Sequence, residues 1–256
     1  MAGEPIKEVF FDWDGTFADT EAISISLTRR VLSDCANAVF GQPMQAQLDG
    51  IDMRGKDFGQ IARQFQDAVN AGLQGDAPFV IDVEDLRTNK LRPAAREALL
   101  EAKLAPGISQ IVVELQQDLG AGVAVVSNSP RLRIQPLLEK HAFDARIPKE
   151  RVFSAFEDTP GKLKENPDIY LLAAKTLGIT PEQAAAVEDS LTGMRAAKGA
   201  GIGLRVGYTG LAERAQVEEL KQALLNAGAH VVIDDMKDLL AVIRARGSVS
   251  HPKPLD

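Results

Sequence analysis

Asp12 and Asp14 are the residues whose type and spacing first point to chemistry. They stand one residue apart in Val9-Phe10-Phe11-Asp12-Trp13-Asp14-Gly15-Thr16, directly after an apolar run. Two carboxylates this close repel each other unless a cation or a proton lies between them. Gly15 permits a tight turn and close approach of a ligand, and Thr16 adds a hydroxyl and a main-chain N–H. Such a set suits a hard cation, which takes oxygen ligands, together with a phosphate bound through N–H groups. Two more polar clusters have the same form: Ser127-Asn128 follows Val123-Ala124-Val125-Val126, and Glu188-Asp189-Ser190 follows Ala184-Ala185-Ala186-Val187. The best candidate for a positive charge is Lys164, in Gly161-Lys162-Leu163-Lys164-Glu165-Asn166-Pro167-Asp168. It precedes a helical pattern, where main-chain N–H groups also favour anions.

The elements that must position these groups are readable from periodicity. Short continuous apolar runs at Val9–Phe11, Val123–Val126, Val152–Phe153, Ala184–Val187, Gly203–Val206 and Val231–Ile233 predict strands buried on both faces. Helical patterns alternate with them, at Ile108–Leu119, Ile134–His141, Pro167–Leu177, Thr192–Gly199 and Met236–Arg244. Alternation of this kind implies an α/β fold with a parallel sheet and right-handed crossovers. Ligands of such sheets bind at the carboxyl ends of the strands, where all three polar clusters fall. Between Thr20 and about Leu104 no strand is expected. Ile23, Leu27, Val31 and Leu32 begin a helical face that Thr20 or Asp19 can cap, Phe58, Ile61, Ala62 and Phe65 form another, and Ala95, Leu99 and Leu100 a third; Leu86 stands alone. The segment reads as a helical insertion of residues 20–104 in a core of 1–19 and 105–250, with 251–256 a flexible tail. The Gly72–Pro78 break and the polar residues Gln60, Gln64, Gln66 and Asn70 suggest an open, adaptable insertion.

The totals narrow the function. The 256 residues carry a formal charge of −7, which argues against non-specific binding to nucleic acid or to anionic membranes. If the substrate is an anion, the positive charge that binds it must be local. Cys35 is the single cysteine, so no internal disulfide and no multi-cysteine zinc site exists, and its spacing suggests a structural thiol. His141, His230 and His251 show no metal-ligand spacing. No apolar run reaches membrane-spanning length, and the opening MAGEPIKE has no hydrophobic signal region. A cytoplasmic protein, monomer or homodimer, is expected.

Four motifs in order, Phe10–Thr16, Val126-Ser127-Asn128, Lys164 with Pro167-Asp168, and Val187-Glu188-Asp189-Ser190 with Gly193, make the chain similar to the haloacid dehalogenase superfamily. The resemblance is to its phosphatase and β-phosphoglucomutase-like branch, which has a Rossmann-like core and a small all-helical cap after the first motif. The resemblance implies that Asp12 is the nucleophile, forming an aspartyl-phosphate, and that Asp14 is general acid and then base. Thr16, Ser127 and Asn128 hold phosphoryl oxygens, and Lys164 offsets charge beside Asp12. Asp12, the main-chain carbonyl of Asp14 and Asp189 bind Mg2+, with Glu188 a ligand or bonded to a metal-bound water. The third motif departs from the family pattern: Glu165 replaces a proline and Lys162 offers a second lysine, with Lys164 better spaced. Arg54 and Lys56, on the segment Asp52–Asp57 that matches the cap's substrate loop, are the candidates for the leaving group. Asp14 favours phosphate esters over haloacids and phosphonates. The expected reaction is magnesium-dependent hydrolysis of a small phosphomonoester of a sugar, polyol or organic acid. A phosphosugar mutase is the alternative, and a silent binding member of the fold is the alternative of another class.

Overall fold

Strands buried on both faces have no polar side to offer water, so they align edge to edge and let helices cover both faces. The computed structural model describes residues 4–53, 58–73 and 77–247. Arg54 and Lys56 fall outside them, as do part of the Gly72–Pro78 break and the tail 251–256. The strands are β1 (Glu8–Phe11), β2 (Ala18–Asp19), β3 (Lys103–Leu104), β4 (Gly122–Ser127), β5 (Val152–Ser154), β6 (Ala184–Glu188), β7 (Leu204–Tyr208) and β8 (Val231–Ile233). Six of them form a sheet in the order β5-β4-β1-β6-β7-β8, with every pairing parallel. The strand order runs outward from β1 in both directions, which puts its carboxyl end at a switch point. Phe11 pairs with Val125 of β4 and with Val187 of β6, so Asp12 and Glu188 emerge side by side.

Packing follows the two-residue period of the strands. Phe10, Ala124, Val126, Ala184 and Ala186 share one buried cluster with Ile169, Tyr170 and Ala173 of the helix Asp168–Thr176, and with Ala196 and Ala197 of the helix Leu191–Gly199. The alanines of β6 leave room for these helices to lie close. Val9, Phe11, Val123 and Val125 turn the other way and are equally buried. The helix Val217–Ala227 was not expected from the sequence, although Val217, Leu220, Leu224 and Ala227 carry the period that would have identified it.

The chain divides into two compact units, one of Met1–Asp19 and Lys103–Asp256, the other of Thr20–Ala102. Lys103 and Leu104 correct the expectation that no strand occurs before about residue 104. They pair antiparallel with Asp19 and Ala18, so both ends of the insertion are tied to one short ladder. The signal is weak because two residues carry no period.

The second unit holds the helices Glu21–Phe40, Gln45–Asp49 and Phe58–Gly72, then a helical run that passes from Val83–Leu86 through a π turn at Arg87–Leu91 into Arg92–Ala98. The isolated apolar Leu86 thus belongs to a helix, started by the Asp82 carboxylate accepting from Asp85 N–H at 2.9 Å. Thr20 stands at the N-cap of the first helix without a side-chain bond to its first turn. Val31, Leu32, Leu48, Ile61, Phe65, Phe79 and Ile81 form the unit's own apolar core. Half-buried Cys35 packs against that core, and burial raises its thiol pKa, as a structural thiol requires. Gln66 and Asn70 are not adaptable surface. Asn70 exchanges bonds of 2.8 and 2.9 Å with the main chain of Phe79, and Gln66 accepts from Ile81 N–H at 2.7 Å. No helix of the described residues is long and apolar enough to cross a membrane.

Phe65 is fully buried and meets Phe79 edge-on at 6.2 Å. Phe65→Ala is expected to destabilise the Thr20–Ala102 unit by about 3–5 kcal/mol. The single tryptophan, Trp13, belongs to the other unit. In urea, the far-UV circular dichroism transition of the variant should therefore begin earlier while the Trp13 fluorescence midpoint moves little. Equal shifts of both probes would show that the two units unfold as one.

Candidate active site

The carboxylates of the site stand where strands leave the sheet. Asp12 follows β1 and still donates its N–H to Val187 O at 3.0 Å. The chain then closes a tight turn: Phe17 and Ala18 donate N–H to Trp13 O, and Gly15 donates to Ala18 O, all at 3.0 Å. Trp13 is buried and stacks on Phe17 at 5.3 Å, which anchors the turn from beneath. Gly15 has φ +78°, and a Cβ there would overlap the Asp189 carboxylate. Only glycine meets both demands. Thr16, fully buried, donates its hydroxyl to Asp189 Oδ1 at 3.0 Å.

Asp12, Glu188 and Asp189 offer one carboxylate oxygen each within 4.8 Å of one another. Lys164 answers them. Its Nζ donates to Asp12 Oδ1 at 2.7 Å and to Glu188 Oε1 at 2.6 Å, and the residue is only 2% exposed. Its main-chain N–H donates to Asn128 Oδ1 at 2.7 Å, so the β4 terminus clamps the lysine segment. Lys162 goes elsewhere: it is exposed and pairs with Asp168 at 2.6 Å. Of the two lysines, then, the fold brings Lys164 to Asp12. Glu188 is fully buried and also takes hydrogen bonds from the Tyr170 hydroxyl and, at 3.2 Å, from Ser190. Ser190 in turn caps the helix Leu191–Gly199 by accepting from Gly193 N–H at 3.1 Å. A Cβ on Gly193 would overlap the Glu188 carboxylate.

The electrostatics follow from one ammonium facing three carboxylates away from water. Burial lifts the Glu188 carboxyl to about 7 despite the opposing pull of Lys164. Burial and the neighbouring charges of Asp12 and Glu188 hold Asp189 well above the usual carboxylate range. Burial alone would lower the Lys164 ammonium, but the charges of Asp12 and Glu188 outweigh it and leave its pKa raised. Burial and the Glu188 charge push Tyr170 well above the ordinary phenol range, so it stays a donor.

The Asp14 side chain is not part of that three-carboxylate cluster. It turns away from the other three, takes Arg133 Nη2 on Oδ1 at 3.1 Å, and accepts a short hydrogen bond from the Ser129 hydroxyl. Ser127 lies at the end of β4, its Oγ accepting from Ser129 N–H at 3.1 Å. Tyr170, Ser129 and Arg133 were not singled out from the sequence. Tyr170 lies two residues after Asp168 and Ser129 two after Ser127, so proximity to the motifs was their only signal.

A family model described as haloacid dehalogenase-like hydrolase matches residues 6–201. Protein CbbY of Cereibacter sphaeroides is 31% identical over 240 residues, covering 90% of this chain and 97% of that one. A phosphorylated carbohydrates phosphatase of Thermotoga maritima is 28% identical over 250 residues, covering 93% and 99%. The crystal structure of CbbY from Rhodobacter sphaeroides in complex with xylulose-(1,5)bisphosphate aligns with a TM-score of 0.57 at 26% identity, over 90% of this chain and 94% of that one. The motifs, the sheet and the matched span agree: the chain belongs to the haloacid dehalogenase-like hydrolases, and it is a phosphatase of that family.

Proposed function

We propose that the enzyme hydrolyses small phosphate monoesters of sugars, polyols or organic acids, with magnesium, through an aspartyl-phosphate on Asp12. The observation that carries this reading is the Asp12 carboxylate held at a strand end by buried Lys164, 2.7 Å away, inside a three-carboxylate cluster. The substrate class is supported by the relatives, one named for phosphorylated carbohydrates and one crystallised with a sugar bisphosphate.

The site fits a hard divalent cation. All three clustered donors are oxygens, and one ammonium leaves their charge in excess. Asp12, Asp189 and the main-chain carbonyl of Asp14 would hold the ion, while Glu188 has its oxygens engaged with Lys164, Tyr170 and Ser190. Magnesium, when bound, supplies Lewis-acid neutralisation of the phosphoryl oxygens.

In the first half-reaction an Asp12 carboxylate oxygen attacks phosphorus, the ester P–O bond breaks, and the leaving oxygen takes a proton from Asp14. The Lys164 ammonium faces the charge that accumulates beside Asp12. In the second, Asp14 accepts a proton from water as that water attacks phosphorus. The bond between phosphorus and the Asp12 oxygen breaks, inorganic phosphate leaves, and both aspartates are restored. Ser129 and Arg133 fix the rotamer of Asp14. Thr16, Ser127 and Asn128 line the phosphoryl side in this reading, the Thr20–Ala102 unit is the cap, and Arg54 and Lys56, outside the described residues, are the candidates for recognising the leaving group.

Asp12→Asn keeps the shape of the side chain and removes its charge, so kcat should fall at least roughly a thousandfold with unchanged circular dichroism. Retention of more than a tenth of wild-type turnover would sink the nucleophile assignment. Glu188 and Asp189 both bind their proton more tightly in the folded state. The Glu188 contribution is therefore complete below the ordinary value of 4.5 and is lost as pH rises toward about 7, and that of Asp189, also raised, has the same sign. The denaturation midpoint of chelator-treated protein should drop across that window. Magnesium should flatten the drop and be required for turnover, and a flat profile without metal would count against a cluster short of positive charge. Finally, a panel of phosphate esters that includes β-glucose 1-phosphate with a trace of the bisphosphate should release free phosphate. Glucose 6-phosphate accumulating faster than phosphate would replace hydrolysis by mutase action.

A further inference from the structure

At the opposite end of the sheet, where β7 and β8 begin, donors gather with no carboxylate among their partners in the described residues. Arg205 is the second residue of β7 and His230 immediately precedes β8. The register that pairs Val206 with Val231 sets them side by side where the strands begin. β7 is five residues long, so this edge lies roughly 15 Å from the strand ends that carry Glu188 and Asp12.

His230 donates its main-chain N–H to Arg205 O at 2.8 Å, and Arg205 N–H donates to His230 Nδ1 at 3.0 Å. With Nδ1 accepting, a neutral imidazole carries its hydrogen on Nε2. That Nε2 lies 2.8 Å from Arg205 Nη2, which is also a donor. The guanidinium is held in place, because Nε donates to Gly228 O at 2.7 Å and Nη1 to Ile202 O at 2.6 Å.

Arg246, from the helix Asp238–Gly247, reaches the same segment. Its Nη2 donates weakly to Glu182 O at 3.4 Å and lies 2.6 Å from where a Gly203 Cβ would stand. Its Nη1 is buried and has no hydrogen-bond partner. After burial, the charge of Arg246 is what lowers Arg205, while Arg205 and then Arg246 lower His230. The partners of these three side chains are carbonyl oxygens and one another, with no carboxylate among the described residues. His230 and its contact with Arg205 are exposed, whereas Arg246 Nη1 is a buried donor with no partner, which is costly; in a chain of net charge −7, two arginines grouped here without a carboxylate are out of character.

We propose that Arg205, His230 and Arg246 form a second site, which binds a tetrahedral oxyanion of the phosphate class. Such an ion accepts from His230 Nε2–H, Arg205 Nη2 and Arg246 Nη1 together. It replaces a donor–donor contact with charge-assisted bonds, for which arginine is well suited. The site is independent of the Asp12 centre in position and in residues.

The test is the His230 imidazole resonance of the full-length protein, assigned with His230→Asn and followed by heteronuclear NMR. Sulfate, inorganic phosphate, glycerol 3-phosphate and chloride are added at matched ionic strength. Saturable movement with the oxyanions, absent with chloride and absent at His141 and His251, is expected. Arg246→Gln should weaken it roughly tenfold, while Arg246→Lys retains part. Tighter binding of inorganic phosphate marks the free ion as the occupant, and tighter binding of glycerol 3-phosphate marks a phosphorylated metabolite. A His230 resonance that ignores the oxyanions overturns the proposal. So does one that follows chloride equally, or that titrates identically in folded Arg246→Gln.

Discussion

The constraint on which the site depends is the placement of one buried ammonium between two carboxylates of adjacent strands. Asp12 and Glu188 emerge together because the parallel register pairs Phe11 with Val187. Unanswered, their charges would oppose folding, since a desolvated carboxylate costs several kcal/mol. Lys164 resolves this by bonding both at 2.6–2.7 Å. Much of the surrounding structure serves that triplet. Asn128 holds the lysine's main chain, Tyr170 supports both the Glu188 carboxylate and, through its ring 5.4 Å from Nζ, the ammonium. Gly15 and Gly193 are the absences of side chain that let the acids fit.

The division of labour among the acids follows from what each is bonded to. Glu188 is wholly internal and spends its oxygens on protein donors, so it fixes geometry. Asp12 and Asp189 share the cluster and face the opening of the strands, where an ion and a phosphoryl group would meet them. Asp14, two residues from Asp12, is turned into a separate setting made by Ser129 and Arg133. In the proposed mechanism this keeps Asp14, the proton carrier, apart from Asp12 and Asp189. The separation is made by a turn of five residues closed on Trp13 O.

The two ends of the sheet are electrostatic opposites. At the carboxyl ends, the acids Asp12, Asp14, Glu188 and Asp189 outnumber the cations Lys164 and Arg133. At the amino ends, Arg205, His230 and Arg246 gather without an acid among their partners. The overall charge of −7 therefore says little about where the molecule accepts anions. Local desolvation and donor geometry decide that.

The sequence by itself determined the strand-to-loop transitions that carry chemistry. An unbroken apolar run ending in a carboxylate is a local signal, and Val9–Asp12 and Ala184–Asp189 display it without reference to the rest of the chain. The parallel α/β class followed from the same alternation. Longer-range facts were not readable. The helix Val217–Ala227 was overlooked despite its period, and the two-residue ladder of β2 with β3 has too few residues for any period. The choice of Lys164 over Lys162 depends on which ammonium reaches Asp12, 152 residues away in sequence. The Asp14 side chain meets Arg133, 119 residues on, rather than the three clustered carboxylates. Hydrophobic periodicity records which face of an element is buried. Which polar groups meet across elements is set by register and crossover, and those exist only once the sheet has formed.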